Sequence, residues 1–245
     1  MTATSRRRIR RAAVLGTLCA ALAGAGLTGC GGGEDPDAGT NGVGKLPAAE
    51  IHTKARAAAR AAGTVRLHGT VEAGGATYTL DMRLRSDGGT GSVAAKGATF
   101  RLLRIGDQLY LKADAGFWTH DGGDESAAGK LADKYVKVPQ GDPAYQRFSG
   151  FTDKDQLLDG LLTLHGTVDK DGRHEQGGVR TVRITGDRGD GGSLDVSLEG
   201  TPYPLRLVRA GRAGTLGLSD WNKPFPLEEP AEADTLDYGK QLPTT

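Results

Sequence analysis

Histidines, serines and carboxylates are the residues of this sequence that could carry out catalysis or bind a metal. No serine lies in a Gly-x-Ser-x-Gly turn, the position of the nucleophile in α/β-hydrolases. The segments Asp169–Gly172 and Asp187–Gly191 lack the spaced carboxylates and terminal glutamate of a calcium loop, and Asp-Gly turns between strands explain both. The five histidines show no His-Glu-x-x-His or other paired ligand spacing: His52, His68, His120, His165 and His174. The sequence therefore predicts no enzyme, no metal site and no cofactor.

Cys30 is the residue for which the sequence predicts a definite reaction. Residues 1–29 comprise an arginine-rich start, an apolar run of 16 residues from Ala12 to Leu27 that contains the other cysteine, and an exit of small residues. This order is typical of an export signal. The exit, Leu27-Thr28-Gly29-Cys30, resembles the bacterial lipobox, whose cysteine receives a diacylglyceryl group before cleavage on its amino-terminal side. We therefore predict that Cys30 carries acyl chains such as palmitate, since more than one chain is needed for stable anchoring.

Two alternatives remain open for the leader. Cys30 could be an ordinary cysteine behind an uncleaved anchor. The order Ser5-Arg6-Arg7-Arg8-Ile9 also resembles a twin-arginine signal, so that both the Sec and the twin-arginine export routes are compatible with the sequence. In either case the prediction is a protein on the outer, extracytoplasmic face of the cell membrane.

Behind the leader, the sequence predicts a tether and one folded domain. Gly31 to Lys45 is nearly all Gly, Asp, Pro, Asn and Thr, a composition typical of a disordered tether. The predicted organisation is a signal peptide at 1–29, the lipidated cysteine and tether at 30–45, and a single domain at 46–245. Beyond residue 29 there are 26 basic and 30 acidic residues, a net charge of −4 without a basic stripe. This charge argues against binding to nucleic acid.

The domain is organised around Thr64 to Asp114, which the sequence predicts to be a five-stranded antiparallel meander. Apolar and polar residues alternate with period two, as in Leu80, Met82 and Leu84 against Asp81 and Arg83. Such alternation indicates a sheet with one dry face and one wet face. Short connections containing glycine separate the strands, at Gly74-Gly75, Asp87-Gly88-Gly89, Lys96-Gly97 and Gly106-Asp107.

Helices and further strands surround this meander. Pro47 to Ala62 is predicted to be a helix whose alanine-rich stripe covers the dry face, and Asp153 to Leu164 a second helix with a capping box at Thr152 and Asp155. Between them we expect a polar loop at Gly122–Gly129 and a strand at Lys134–Pro139. A second set of strands follows, with a turn at Asp171-Gly172: His165–Lys170, Val179–Thr185, Leu194–Glu199, Tyr203–Ala210 and Thr215–Asp220.

The order of these features resembles the LppX/LprG family of actinobacterial lipoproteins over about residues 46 to 230. The features that carry the resemblance are the lipobox, the polar tether, the alanine-rich helix, the strand with Gly69 in its middle, Asp107–Lys112 leading to Phe117-Trp118, the Tyr135–Pro139 segment, the leucine helix and Trp221-Asn222-Lys223-Pro224. The family is in turn similar to the half-barrels of LolA, LolB and RseB.

The resemblance implies an α+β fold, a strongly curved antiparallel half-barrel with helices packed on its concave side. It also implies that acyl chains of lipids or glycolipids bind in a hydrophobic cleft, because lipid tails carried through water need an apolar wall. The alternatives are a closed core formed by the same side chains, and a protein-binding envelope sensor or regulator on the same scaffold. The candidate wall residues are Val65, Leu67, Val71, Tyr78, Leu80, Met82, Leu84, Leu109, Leu111, Leu194, Val196 and Leu198.

Overall fold

A computed structural model of the chain describes residues 37–119, 125–237 and 239. The predicted signal peptide, the lipobox with Cys30 and one histidine, His120, lie outside the described residues.

The first helix and the meander form where the sequence predicts them. Helix α1 spans Ala48–Ala61 and begins directly after Pro47. The five strands that follow pair as consecutive antiparallel hairpins: β1 Thr64–Ala73, β2 Ala76–Arg85, β3 Gly88–Ala95, β4 Ala98–Ile105 and β5 Gln108–Ala113. One predicted turn is shorter than expected, because Gly88 and Gly89 belong to β3. A side chain at Gly88 would overlap the Arg104 carbonyl, so close pairing with β4 requires glycine there.

The segment after β5 is more helical than predicted. It contains α2 Ala115–Thr119, α3 Glu125–Leu131, β6 Tyr135–Val138, α4 Pro143–Ser149 and α5 Lys154–Leu161. The polar loop predicted at Gly122–Gly129 is wrong for residues 125–129, because α3 buries Ala128 and Leu131 against the core. The cap of α5 is Asp153, whose carboxylate accepts a hydrogen bond from the Gln156 amide at 2.9 Å. The predicted cap, Thr152, instead accepts a hydrogen bond from Arg104 and donates to the Ser149 carbonyl.

The carboxyl-terminal half adds six strands to the sheet. They are β7 Val168–Gln176, β8 Val179–Gly186, β9 Ser193–Ser197, β10 Pro204–Val208, β11 Gly214–Ser219 and β12 Thr235–Asp237. The turn predicted at Asp171-Gly172 is wrong: the register of β7 shifts there, so these residues form a bulge within an edge strand. The hairpin closes instead at Gly177-Gly178, where both residues have positive φ, as a two-residue turn requires.

All twelve strands belong to one open sheet in the order β12-β6-β5-β4-β3-β2-β1-β11-β10-β9-β8-β7. Neighbours are antiparallel except β12 and β6, which are parallel. Pairing of β1 with β11, with Leu67 opposite Leu218, joins the two sets of strands that the sequence shows as separate. The fold is therefore the predicted α+β class, a curved antiparallel half-barrel with helices packed on one face.

The tether predicted over Gly31–Lys45 is ordered in its described part, residues 37–45, which we call the strap. The Asn41 amide donates to the carbonyls of Ser197 and Gly200, both at 3.0 Å. Arg180 donates to the carbonyls of residues 38 and 39, and Val43 is buried in the core. The strap is thus fixed along β8 and β9 by hydrogen bonds that its glycine-rich composition does not reveal.

Candidate functional site

The inner face of the sheet, the one that the helices cover, carries continuous apolar rows. Paired residues from nine adjacent strands, β8 to β5 in sheet order, form one row: Ile184, Leu194, Leu207, Leu216, Gly69, Leu80, Val93, Phe100 and Ala113. A neighbouring row crosses seven strands: Val136, Leu111, Leu102, Gly91, Met82, Leu67 and Leu218. These rows follow from the alternation along each strand, because in-register pairing places the apolar positions side by side.

Gly69 lies at the centre of the longer row, where the two halves of the sheet join. Its φ is +136°, a conformation that residues with a Cβ rarely adopt. A Cβ at this position would overlap the carbonyl oxygen of Thr215 on β11. Glycine at this position therefore allows β1 to approach β11 closely, and the apolar row stays continuous across the junction.

The structure brings all twelve predicted wall residues to this inner face. Eleven of them have exposed fractions of 6% or less, and the twelfth, Tyr78, is half-buried at the edge of the same hydrophobic cluster. The two strand sets that contribute them are about 80 to 130 residues apart in sequence, so it is the β1–β11 pairing that makes them one surface.

Helices cover the wall, so its residues form part of a closed core in this structure. Helix α1 packs on β7, β8 and β10, with Ile51, Ala55 and Ala59 fully buried. Helix α2 packs on β4 and β5, and the other helices insert further apolar side chains: Leu131 from α3, Phe148 from α4, and Leu158 and Leu161 from α5. The small alanines of α1 allow the helix to lie close to the sheet. The sequence placed this helix over part of the meander's dry face, and that location is wrong, because its main packing partners in the sheet are strands of the second set.

Polar contacts hold α5 against α1. Arg60 pairs with Asp159 at 2.9 Å, and this hydrogen bond lowers the pKa of the Asp159 carboxyl below its usual value. The His52 ring bonds the Leu162 carbonyl at 2.7 Å. Lys154, only 3% exposed, pairs with Asp155 and donates to the Arg60 carbonyl, so its buried charge is compensated. These two helices therefore form one unit on the sheet.

Aromatic rings gather where β4 begins and α2 and α4 lie. Phe100 contacts Phe117 at 5.2 Å and Phe148 at 5.1 Å between ring centroids, and Phe117 contacts Trp118 at 5.1 Å. Tyr78 and Phe151 form a further contact at 5.8 Å. These rings come from β2, β4, α2, α4 and the turn after α4, so no single stretch of the sequence marks the cluster.

Trp118 has an unusual environment within the aromatic cluster. The residue is 2% exposed, and its indole N–H is buried without a hydrogen-bond acceptor among the described residues. A buried donor without a partner costs roughly 1–3 kcal/mol of stability. Such a donor is available to an acceptor that enters the cluster from outside.

The described part of the chain contains neither a cluster of metal ligands nor a membrane-spanning helix. Within residues 37–119 and 125–237, no three His, Cys, Asp or Glu side chains converge as metal ligands would. None of the helices in this part of the chain combines the length and the apolar character that a membrane crossing requires.

The half-barrel places the chain among open, curved sheets with helices on the inner face, and comparison with solved structures finds similar chains. LprF from Mycobacterium bovis is 17% identical with a TM-score of 0.47, and the match covers 75% of this chain and 97% of LprF. The Mycobacterium tuberculosis lipoprotein LppX is 17% identical with a TM-score of 0.45, over 73% of this chain and 97% of LppX. A conserved protein of Thermus thermophilus, described as uncharacterized, is 12% identical with a TM-score of 0.33, over 78% and 98% of the two chains.

No family model matches the sequence. No curated protein matches it either.

Proposed function

We propose that this protein is a membrane-anchored extracytoplasmic lipoprotein that binds acyl chains of lipids or glycolipids on the inner face of its sheet, without covalent chemistry. The observation that carries the proposal is the apolar row across nine strands, covered by short helices instead of a second sheet. The ligand-binding residues in this proposal are the twelve wall residues, with Trp118 as a hydrogen-bond donor at the edge.

Lipid binding requires the cover to move, and the lengths of the helices make this feasible. Helices α2, α3 and α4 have five, seven and seven residues, too short to be stable without their packing on the sheet. An acyl chain that replaces them keeps the wall out of water, and each buried methylene contributes about 0.8 kcal/mol. When a lipid binds, the wall residues thus lose apolar contacts to the helices and gain apolar contacts to the acyl chain.

The aromatic cluster is the entrance in this proposal. Tyr78, Phe117 and Phe151 are half-buried there, whereas the wall residues behind them are covered. The unpartnered Trp118 N–H gives a bound lipid one hydrogen bond, to an ester or amide carbonyl next to its acyl chain. Tyr78 is suited to such a boundary, because its ring is apolar and its hydroxyl is polar.

The anchor and the strap define how far the body can lie from the membrane. If Cys30 is lipidated, six residues separate it from Asp37, where the strap begins, and these seven steps along the chain span at most about 25 Å when fully extended. The body therefore stays within reach of the bilayer that supplies its ligand. Mass spectrometry of the membrane-extracted protein tests the anchor, since replacing Cys30 by Ala abolishes both the lipid mass and membrane retention.

The test of ligand binding uses the unacylated body from residue 31 onward, expressed with export in an actinobacterial host. We expect co-purified lipid in its organic extract and saturable uptake of a fluorescent fatty acyl lipid. The matched variants Trp118→Phe and Trp221→Phe separate the inner site from the outer face: the first should weaken lipid binding several-fold and the second should leave it unchanged. Preparations without lipid and without uptake would contradict the proposal. A stable protein partner captured from membranes together with an empty wall would support the sensor alternative.

A further inference from the structure

The outer face of the sheet, opposite the helices, carries a groove to which no function is assigned above. In sheet order, six paired residues cross it: Asp81, His68, Gly217, Arg206, Asp195 and Arg183. Gly217 has no side chain, and the His68 ring occupies the space that a Cβ at this position would need, so the ring lies flat over β11 in the floor of the groove. The groove has a volume of about 730 Å³, and its lining includes Gln176, Trp221 and Lys223 as well as His68, Gly217 and Arg206.

Arg206 carries a positive charge, and the carboxylate nearest to it, Asp195, already accepts hydrogen bonds from other side chains. Asp195, 1% exposed, accepts two hydrogen bonds from Arg183, at 2.6 and 3.0 Å, and one from Gln176 at 2.9 Å. The Arg206 guanidinium lies 3.9 Å from the same carboxylate, beyond hydrogen-bond distance, and has no hydrogen bond within the described residues. One buried carboxylate therefore faces two guanidinium groups, and the one in the groove retains its donors.

The other groove residues are held in fixed positions. The Trp221 indole stacks on Tyr203 with ring centroids 4.8 Å apart and 6° between the planes. Its N–H donates to the Pro204 carbonyl at 3.2 Å, and Asn222 donates to the Tyr203 hydroxyl at 2.7 Å. Gln176 is fixed by its bond to Asp195 and keeps its amide oxygen as an acceptor. The groove thus combines a rigid aromatic ring with planar polar groups.

The surroundings of the groove are positive, in contrast to the net acidic body. A smaller cavity of about 210 Å³ adjoins it through Asp220 and Lys223 and is lined by Arg66 and Arg83. Arg66 pairs with Asp81, and Lys223 pairs with Asp220. Arg83 forms no ion pair within the described residues, and Arg206 shares its nearest carboxylate with Arg183. These two arginines therefore give the groove and its surroundings a net excess of about two positive charges.

We propose that the outer groove binds an acidic saccharide, a sugar ring that carries a carboxylate or phosphate. Arg206 binds the acid group, because guanidinium matches the geometry of both anions. Trp221 contacts the apolar face of the sugar ring, and Gln176 and His68 exchange hydrogen bonds with its hydroxyls. This site lies on the opposite face of the sheet from the acyl-chain wall and does not depend on the function proposed there.

The test titrates the unacylated body, residues 31–245, with three soluble probes: methyl glucuronide, methyl glucoside and acetate. We expect the amide resonances of Gly217 and neighbouring groove residues to shift with methyl glucuronide at the lowest concentration, and those of the β3–β4 hairpin to stay unchanged. Replacing Arg206 by Gln should weaken this binding about tenfold, the loss of one hydrogen bond to a charged group. Arg101→Gln is the matched control, since Arg101 is an exposed arginine on the same outer face, on β4, and should have no effect.

Vesicles distinguish the two sources of such a sugar. Binding to phosphatidylcholine vesicles that contain glucuronosyl diacylglycerol, with loss of binding in Arg206→Gln, assigns the groove to a glycolipid headgroup. Binding of the soluble glycoside without binding to these vesicles assigns it to a free or polymeric sugar acid. Equal binding of acetate and methyl glucuronide, equal effects of the two arginine substitutions, or absence of any groove shift would each overturn the proposal.

Discussion

Replacing Trp118 by Phe should stabilise the ligand-free protein, which is unusual for a change to a buried aromatic residue. The substitution removes an indole N–H that is buried without an acceptor, and this removal is worth roughly 1–3 kcal/mol. It also leaves a smaller ring in a packed cluster. At about 24 cal/mol per Å³, the lost volume of roughly 40 Å³ costs about 1 kcal/mol. The net expectation is a change between about zero and 2 kcal/mol in favour of the variant.

The matched control is Trp221→Phe, because the two tryptophans differ in how their N–H groups are satisfied. The Trp221 N–H donates to the Pro204 carbonyl, and the ring stacks on Tyr203. This variant loses a hydrogen bond and part of a stacked contact, so we expect a destabilisation of about 1 kcal/mol. Urea unfolding followed by circular dichroism, with both variants at the same pH, gives the two free energies of unfolding from the transition midpoints.

Opposite signs for the two tryptophans are the essential result. A destabilisation of Trp118→Phe as large as that of Trp221→Phe would refute the reasoning that the Trp118 donor is unsatisfied. A second measurement links this donor to function: the lipid affinity of Trp118→Phe should fall while its stability rises. A residue with only a structural role would change the two quantities in the same direction.

Three further predictions concern the strap, an ion pair and the sheet junction. Asn41→Ala removes two hydrogen bonds from the strap to the segment at the end of β9, so it should destabilise the protein by about 1–2 kcal/mol in urea unfolding. The amides of residues 41–43 should also exchange faster, and unchanged exchange would contradict the docking of the strap. The hydrogen bond from Arg66 lowers the pKa of the Asp81 carboxyl. This pair therefore stabilises the fold at pH values above the unfolded-state pKa, and the stabilisation is lost as the pH falls through the folded-state pKa. Asp81→Asn should lower the free energy of unfolding by at most about 1 kcal/mol at pH 7 and leave it unchanged in strong acid. Gly69→Ala should cost more than about 2 kcal/mol, since it combines positive φ with overlap of the Thr215 carbonyl, whereas Gly129→Ala, on an open helix surface, should be neutral or stabilising.

The sequence predicts the pairing of strands that are neighbours in sequence well, and the pairing of segments that are far apart in sequence poorly. Alternation along β1 to β5 and glycine between them determine a meander, because each hairpin depends on neighbouring residues. The pairing of β1 with β11 joins residues about 150 apart, and no local pattern marks it. The strap was missed for the same reason, since the partners of Asn41 lie at Ser197 and Gly200.

The candidate site also has a part that local sequence patterns predict and a part that depends on distant contacts. The wall residues could be identified by periodicity alone, because alternation determines which side chains share a face. Whether that face is open or covered depends on how helices from other parts of the chain pack on it, which periodicity does not report. Trp118 was visible in the sequence as part of Phe117-Trp118, but its unsatisfied donor follows only from the contacts around it.

Opening of the inner face should begin over the meander and not over the second half of the sheet. Helix α1 packs on β7, β8 and β10, and α5 is tied to it through Asp159 and Lys154, while the strap holds β8 and β9 from the edge. Helices α2 and α3 pack mainly on each other, α2 also packs on β4 and β5, and both helices are only one or two turns long.

Hydrogen exchange tests this order of opening, because local opening exposes the amides of the elements that move. We expect α2, α3 and α4 to exchange faster than α1 in the ligand-free protein, and to become protected when a lipid is bound. Faster exchange in α1 than in α2 would place the moving cover on the other half of the sheet. Equal protection of all five helices with and without lipid would mean that the wall stays closed, and acyl-chain binding on the inner face would then have no route.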